Sequence, residues 1–516
     1  MGEVPAGFRI PEIKISEPHL SASAVVSRRV DDQDEILLGH RVSEMPSFPD
    51  FWTFPGGGIS KIDKEVGDKY PNFLPEMGID RIATIALLRE LVEEIGLIPD
   101  KNGKMIHINQ EIRNLVCDDK KNWLKGFENG NINIELFKTR VISERETPPF
   151  GPIRFRNRFF HVSLSNNDIF PSFPQGRSEF DEFKWWKPKE LLKSWEKNAV
   201  RIPPPIVTLL KDLVFEISDR GSLGLAFESL ARKRPSGYHR IEFAPLVECF
   251  PIKTQTLPPA THTNCYILGE EGGERIIIDP AARGLELEEF RKKISEVISS
   301  GSKIIATMFT HKHPDHVGNI QEMMGIYDAP IWATEETLDY LNIKNNYKKI
   351  IEGDEFELKG SNDVSYWKII ETPGHCPGHI CICGESGIIS GDNCVGVGTI
   401  LISSQEGDMG EYITGLERLK EMKPKMLFPG HGPLIANPEK LLTKYINHRK
   451  KRVGKIMQAL SENRTRIREI SEFVYSETSN VDMTLAYDQV LSHLNSLIKE
   501  NAVEEFNGQY YLKGTE

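Results

Sequence analysis

The sequence predicts a multidomain α/β protein, and three observations carry that expectation. The chain has 516 residues, enough for about two to four domains, with an ordinary 39% hydrophobic content. Short apolar runs alternate with helix-spaced stretches in two separate blocks, 21–214 and 242–440. Between them, 215–241 is polar, punctuated by Pro and Gly and rich in Lys and Arg, which reads as a linker.

In the first block, strands are expected at Ala24-Val25-Val26, Glu35-Ile36-Leu37-Leu38 and Phe159-Phe160-His161-Val162, with helices over 82–95 and 206–215. In the second, the runs at 275–279 and 303–309 read as strands between Gly-rich turns. The last block, 441–516, turns helical over 453–460, 467–475 and 487–498. It then closes on two short strands separated by Asn507-Gly508, a tight-hairpin signal.

Lys+Arg 64 against Asp+Glu 75 gives a net charge of −11, so any nucleic-acid contact must come from a local patch. The seven cysteines are odd in number and irregularly spaced, which suits free thiols in a reducing compartment. The first ten residues have no signal-peptide pattern and no apolar run approaches membrane-spanning length. A cytoplasmic location without membrane partners is the expectation, and the oligomeric state is left open.

The densest chemistry lies in Thr310-His311-Lys312-His313-Pro314-Asp315-His316-Val317-Gly318, where three imidazoles and a carboxylate crowd the end of an apolar strand. His311 and His313, two apart in extended chain, project to one side; Asp315 and His316 follow the bend at Pro314 and address a second ion. Thr372-Pro373-Gly374-His375, Ser390-Gly391-Asp392-Asn393 and Phe428-Pro429-Gly430-His431-Gly432 each run from an apolar strand into a Gly-containing loop, which lets the loops converge.

These residues match, in order and type, the ligand set of the metallo-β-lactamase superfamily over about 261–438. The resemblance implies an αββα sandwich with two Zn²⁺. His311, His313 and His375 would hold one ion, Asp315, His316 and His431 the other, and Asp392 would bridge them. The catalytic carboxylates would then be Asp315 and Asp392, with a shared water ionised at neutral pH. A structural role outside the ligand set is expected for His379.

Thr261-His262-Thr263-Asn264-Cys265, Ser390-Gly391-Asp392-Asn393-Cys394 and Ile446-Asn447-His448-Arg449 resemble the β-lactamase-like protein 2 group. That likeness implies cleavage of single-stranded RNA and a small winged-helix-like tail. Arg449, Lys450, Lys451, Arg452, Lys455, Arg464, Arg466 and Arg468 supply basic density that either tracks a phosphate backbone or forms a solvated helix face. Glyoxalase-type enzymes share the ligands, so a small ester or thioester stays open as substrate. So does an RNA- or nucleotide-binding adaptor.

In the first block, Arg89-Glu90-Leu91-Val92-Glu93-Glu94-Ile95-Gly96 resembles the helical part of a Nudix box, with Glu90, Glu93 and Glu94 at i, i+3 and i+4. Leu37-Leu38-Gly39-His40-Arg41, Phe54-Pro55-Gly56-Gly57-Gly58 and Ile202-Pro203-Pro204-Pro205 are similar to coenzyme A-type members. The resemblance implies an α/β/α sandwich, Mg²⁺ on Glu90, Glu93 and Glu94, catalysis by Glu93 and Glu94, and substrate contacts from Arg41, Gly56 and Gly57. The substrate would be a coenzyme A or nucleoside diphosphate derivative. One departure is plain: counting back from Arg89 puts Arg81 at the box glutamate and Pro75 at its glycine, with an insertion between Gly58 and Ile82. Both an active pyrophosphohydrolase and a retired scaffold fit that pattern.

Overall fold

The computed structural model describes residues 16–149, 153–165, 169–361, 363–479 and 481–514. They divide into two compact units, one ending at Pro245 and the other beginning at Leu246. Among the described residues no helix is long and apolar enough to cross a membrane.

The first unit opens with the hairpin β1 (His19–Val30) and β2 (Gln33–Arg41), then β3 (Trp52–Thr53), β4 (Gly56–Gly58), α1 (Lys61–Lys69) and α2 (Arg81–Glu90). α2 runs on into one π-type turn, Leu91–Ile95. There follow β5 (Leu97–Pro99), β6 (Met105–His107), α3 (Gln110–Asp118), α4 (Lys121–Glu128), β7 (Arg140–Glu146), β8 (Phe155–Ser163) and β9 (Phe180–Trp186). α5 (Pro188–Glu196), α6 (Pro204–Arg220), α7 (Leu223–Lys233) and β10 (Ile241–Ala244) complete it.

Its main sheet runs β3-β2-β1-β8-β7, with β4 on β1 and β9 on β2, and β1 lies parallel to β8. Strand alternation divides the side chains between two cores. Ala22, Ala24 and Val26 of β1 join the side covered by α1 to α4, while Val25 joins the side covered by α5 to α7. Leu37 and Phe160 follow the first group, Ile36, Leu38 and Phe159 the second. The unit is therefore an α/β/α sandwich.

The expected linker at 215–241 is corrected here. α6 continues to Arg220 and α7 packs beside it, with Leu223, Ala226, Phe227 and Leu230 buried in the second core. Those four stand at i, i+3, i+4 and i+7, a helical stripe that the flanking Gly, Pro and basic residues conceal.

In the second unit β11 (Val247–Lys253), β12 (His262–Leu268) and β13 (Glu274–Ile278) lead to α8 (Glu286–Ser299) and β14 (Lys303–Met308). α9 (Pro314–Val317), α10 (Ile320–Met324), β15 (Ile331–Ala333), α11 (Glu335–Tyr340) and β16 (Tyr347–Lys349) follow. The order β11-β12-β13-β14-β15-β16 makes the first sheet. A second is built in sequence from β17 (Glu355–Lys359), β18 (Val364–Glu371), β19 (Ile380–Gly384), β20 (Gly387–Gly391) and, after α12 (Met409–Glu421), β21 (Leu427–Pro429).

α8 covers one face of the first sheet through Phe290 and Ile294 packed on Cys265, Ile267 and Ile277. α12 covers the second sheet through Tyr412 and Leu416 on Ile370, Cys381 and Ile388. The opposite faces meet, as Tyr266 and Phe428 show with ring centroids 6.1 Å apart. The layers are thus helix, sheet, sheet, helix.

The chain ends in α13 (Pro438–Ser461), α14 (Ile467–Val474), α15 (Met483–Lys499) and the hairpin β22 (Val503–Phe506) and β23 (Gln509–Leu512), whose turn is Asn507-Gly508. The boundary expected at 440/441 falls inside α13, a continuous helix of 24 residues. Leu442, Tyr445 and Ile446 pack in the core of α12, whereas Ile456, Ala459 and Leu460 join a separate cluster with Ile470, Val490 and Leu494. A change from one core to another mid-helix leaves no breaker in the sequence to mark it.

Phe227→Ala should remove a fully buried ring from the first unit, lowering its unfolding free energy by about 3–5 kcal/mol. In a thermal scan the transition of that unit should move down while the other stays; an unshifted pair of transitions would restore the linker reading.

Candidate metal centre

The two sheets deliver the expected ligand residues to one end of the second unit. β14 runs into His311 and His313, and α9 starts at Pro314 and carries Asp315 and His316. His375 follows β18, Asp392 follows β20 and His431 follows β21. All seven are buried. Donor atoms of six of them gather in two groups, His311 with His313 and His375, and Asp315 with His316 and His431, each within 4.8 Å, and Asp279 forms a third such group with His311 and His316.

Hydrogen bonds around the rim fix which ring nitrogens face inward. His316 Nδ1 lies 2.9 Å from Asp279 Oδ2, and a carboxylate can only accept, so Nδ1 carries the proton. His431 Nδ1 donates likewise to the carbonyl of His262 at 2.9 Å and His375 Nδ1 to that of Leu401 at 3.2 Å. His313 Nε2 donates to Glu406 Oε1 at 2.7 Å. Thr310 Oγ1 donates to Asp279 Oδ2 at 2.6 Å and so accepts from His311 Nδ1 at 2.9 Å.

His311 and His375, held neutral, turn a lone pair inward, whereas for His316 and His431 burial is outweighed by Asp392, which raises both above the ordinary imidazole range so that each can present a proton there. His375 Nε2 meets His313 Nδ1 at 3.0 Å, and His316 Nε2 meets His431 Nε2 at 3.2 Å.

Asp392 faces both groups, Oδ1 to His316 Nε2 at 3.3 Å, and Oδ2 to His431 Nε2 at 3.4 Å and to His375 Nε2 at 3.8 Å. Its Oδ1, both oxygens of Asp315 and Nε2 of His311 are buried without a hydrogen-bond partner. Buried polar atoms rarely go unpaired, so this nitrogen and oxygen donor set fits divalent metal. Burial pushes the Asp392 carboxyl up, but His431 and His316 outweigh it and hold the group well below the carboxylate range. Burial, then His316 and His313, keep His311 neutral, the form a metal ligand needs. Burial, then His313, brings His375 down to about 4.

His379 lies outside the ligand set. Its Nε2 accepts the N–H of Asp392 at 3.1 Å and its Nδ1 donates to Thr372 Oγ1 at 2.9 Å. Two residues that sequence reasoning missed are Asp279 and Glu406. Asp279 had a signal: like the recognised ligands, it ends an apolar strand. Glu406, within the irregular segment before α12, had none.

In the first unit the acidic helix is placed differently from the expectation. Glu90, Glu93 and Glu94 do not form a donor group of the kind seen in the second unit, among the described residues. The π-type turn at Leu91–Ile95 alters the angular spacing on which the one-face expectation rested. Glu93 turns to Arg89 at 3.1 Å and Lys120 at 3.8 Å, while Glu94 Oε2 accepts Gly56 N–H at 2.7 Å. Gly57 passes so near Glu90 that a Cβ would lie 2.6 Å from Oε1. Arg41 pairs with Glu179 at 3.5 Å. Burial pushes Glu90 up to about 7 against the pull of Arg89, and pushes Glu94 well up, helped by Glu90 and Glu179.

Arg89 also shows where the box was misaligned. Its acidic partner is Asp63, with Nε to Oδ1 at 2.9 Å and NH2 to Oδ2 at 2.9 Å, both side chains buried. Asp63 stands in α1, six positions after Gly57, so neither Arg81 nor Pro75 fills the box. Arg81 instead donates to the carbonyls of Gly67 and Tyr70.

Paired sheets between helices, with buried His and Asp donor groups at one end, define an αββα protein with candidate metal sites. Residues 258–431 match the metallo-beta-lactamase superfamily. A beta-lactamase-like protein 2 homolog of Drosophila melanogaster is 30% identical over 259 residues, 46% of this chain and 82% of that protein. The chain belongs to the metallo-β-lactamase superfamily, whose members are generally hydrolases, and is homologous to β-lactamase-like protein 2. An atrochrysone carboxyl ACP thioesterase of Aspergillus chevalieri is 27% identical over 208 residues, 39% of this chain and 61% of that one. Among solved structures, a NUDIX hydrolase from Alicyclobacillus acidocaldarius is similar at 23% identity and a TM-score of 0.33, covering 39% of this chain and 92% of that one.

Gly430 brings its backbone against the centre: a Cβ there would lie 2.3 Å from Asp392 Oδ1 and 2.7 Å from His316 Cε1. Gly430→Ala should displace Asp392 and lower bound metal per chain, read by elemental analysis on folded protein; an undiminished metal content would remove Asp392 from the donor set.

Proposed function

We propose that the second unit is a di-zinc hydrolase acting on a phosphodiester in single-stranded RNA. The observation that carries the two-ion reading is the pair of buried donor groups, His311 with His313 and His375 and Asp315 with His316 and His431, with Asp392 facing both. His311, His313 and His375 would hold one ion, Asp315, His316 and His431 the other, and Asp392 both. When bound, such ions polarise the attacked group and ionise water at neutral pH. The chain supplies the geometry. Asp279, Glu406 and the His262 and Leu401 carbonyls lock ring orientation, and the buried walls keep the local dielectric low.

The RNA reading rests on the likeness to β-lactamase-like protein 2 and on the tail, which we read as winged-helix-like. Much of the tail's basic density is engaged. Arg449 is buried and donates to the Ile400 carbonyl, and Arg452 donates to the Val474 carbonyl. Lys450, Arg464 and Arg468 pair with Glu417, Glu462 and Glu472 in exposed bridges. Such bridges contribute about 0–1 kcal/mol, so phosphate can replace the glutamates. The similarity to a named thioesterase favours a second reading, hydrolysis of a small thioester.

With zinc restored after chelation, RNA oligonucleotide cleavage should fall steeply as salt rises, because released counterions drive phosphate binding. Lys450→Glu with Arg468→Glu should lower RNA turnover several-fold and leave an acyl thioester unaffected. Thioester turnover with no RNA cleavage under any salt would select the second reading.

For the first unit we propose a Nudix-like pyrophosphohydrolase taking a coenzyme A or nucleoside diphosphate derivative, with Mg²⁺ on Glu90, Glu93 and Glu94. The Asp63–Arg89 clamp, which holds Glu90 beside the glycines of β4, supports it. The engagement of Glu93 by Arg89 and Lys120 and of Glu94 by the Gly56 N–H favours instead a scaffold that binds nucleotide without cleaving it. Glu94→Gln should abolish Mg²⁺-dependent cleavage of such a diphosphate while zinc-dependent hydrolysis continues. A wild-type chain that cleaves nothing in a broad pyrophosphate panel would select the scaffold.

A further inference from the structure

We propose that α15, the last helix, is a positioning element of the metal centre, acting on His313 and His375 through residues 400–408. The inference rests on the two-ion reading above.

Residues 400–408 form neither strand nor helix, yet they present two groups to the ligand imidazoles. The Leu401 carbonyl accepts from His375 Nδ1 at 3.2 Å, and Glu406 Oε1 accepts from His313 Nε2 at 2.7 Å. The other carboxylate oxygen of Glu406 takes Lys312 Nζ at 2.8 Å. Irregular backbone has no ladder of its own to hold such groups within a few tenths of an ångström, so its rigidity must come from what it is tied to.

Its end is tied by the Gly407 N–H to the Ser403 carbonyl and the Asp408 N–H to the Gly374 carbonyl, both at 2.8 Å, and the ties at 400–404 come from the tail. Gln489 Nε2 of α15 donates to the Ile402 carbonyl at 2.7 Å. Asp488 Oδ1 accepts the Ser404 hydroxyl at 2.6 Å and the Ser404 N–H at 3.2 Å. Asn495 Nδ2 donates to the Ser404 carbonyl at 3.3 Å. Arg449 of α13 closes the arrangement, donating to the Ile400 carbonyl at 2.6 Å and to Gln489 Oε1 at 3.1 Å. Gln489 and Arg449 are buried, so their hydrogen bonds do not compete with bulk water.

The remaining imidazoles hang elsewhere. His316 is held by Asp279, and His311 by Asp279 through Thr310. His431 is held by the His262 carbonyl. The tail thus grips two of the three donors in the His311, His313, His375 group and none in the group of Asp315, His316 and His431. Loss of the grip should weaken one ion and spare the other.

The test uses the full chain loaded with zinc and titrated with a competing chelator, alongside the absorption spectrum of the cobalt(II)-substituted protein. Asp488→Ala, and Asp488→Ala with Gln489→Leu, should weaken one of two bound ions about tenfold or more, as loss of an outer partner does, and alter only part of the cobalt spectrum. Asp488→Asn keeps an acceptor for Ser404 and should bind both ions as the wild type does. Val474→Ala, which empties part of the tail core away from this segment, should lower the melting temperature without moving either affinity. Unchanged affinities in the Asp488 and Gln489 variants, or an equal loss in Val474→Ala, would overturn the inference while leaving two ions in place. A wild-type chain that takes up no zinc would overturn the two-ion reading and this inference with it.

Discussion

Five imidazoles and two carboxylates withdrawn from water at one end of two sheets set the terms for the whole second unit. Burying charge without compensation is costly enough that the groups must be paired with one another or with a cation. Pairing sets His316 and His431 against Asp392 at 3.3 and 3.4 Å and still leaves Nε2 of His311 without a hydrogen-bond partner. The surrounding acceptors fix the orientation of the rings, because Asp279, Glu406 and two carbonyls each take the outward proton of a ring. The architecture follows from this demand. Strands of both sheets end beside the pocket, and a glycine at 430 admits the backbone where a methyl group would collide with Asp392.

Much of this was legible in the sequence, for a physical reason. A metal donor must be one of a few residue types, and a strand end that carries one beside a glycine stands out from ordinary turn chemistry. His311, His313, Asp315, His316, His375, Asp392 and His431 could all be named on that basis; the structure gathers six of them in two donor groups and sets Asp392 against His316, His375 and His431. The residues that orient them were less visible. Asp279 ends Ile276-Ile277-Ile278 and could have been suspected, whereas Glu406 has a local context like that of any surface acid.

Regular elements were legible where alternation or helical spacing ran uninterrupted, as in β1, β2, β8 and the final hairpin. The failures share one cause, the weight given to local punctuation. Between 215 and 241 the polar face outweighed the stripe of Leu223, Ala226, Phe227 and Leu230. At 440/441 a change of packing partner left no mark on an unbroken helix. The misaligned box is a related case. Arg89 finds its carboxylate at Asp63, across the inserted residues, and spacing alone cannot report a contact made in space. The π-type turn at Leu91–Ile95 is a backbone choice with no residue type of its own.

The continuity of α13 has a mechanical consequence. Its first turns belong to the hydrolase core and its last turns to the tail core, with about 1.5 Å of axial rise per residue between them. A hinge would require breaking main-chain hydrogen bonds in mid-helix, so the tail is a fixed strut and not a swinging arm. A polymer bound there would meet the catalytic pocket at a constant span, and discrimination between polymers would then be by length, as a gauge block sorts parts, with no capture and delivery.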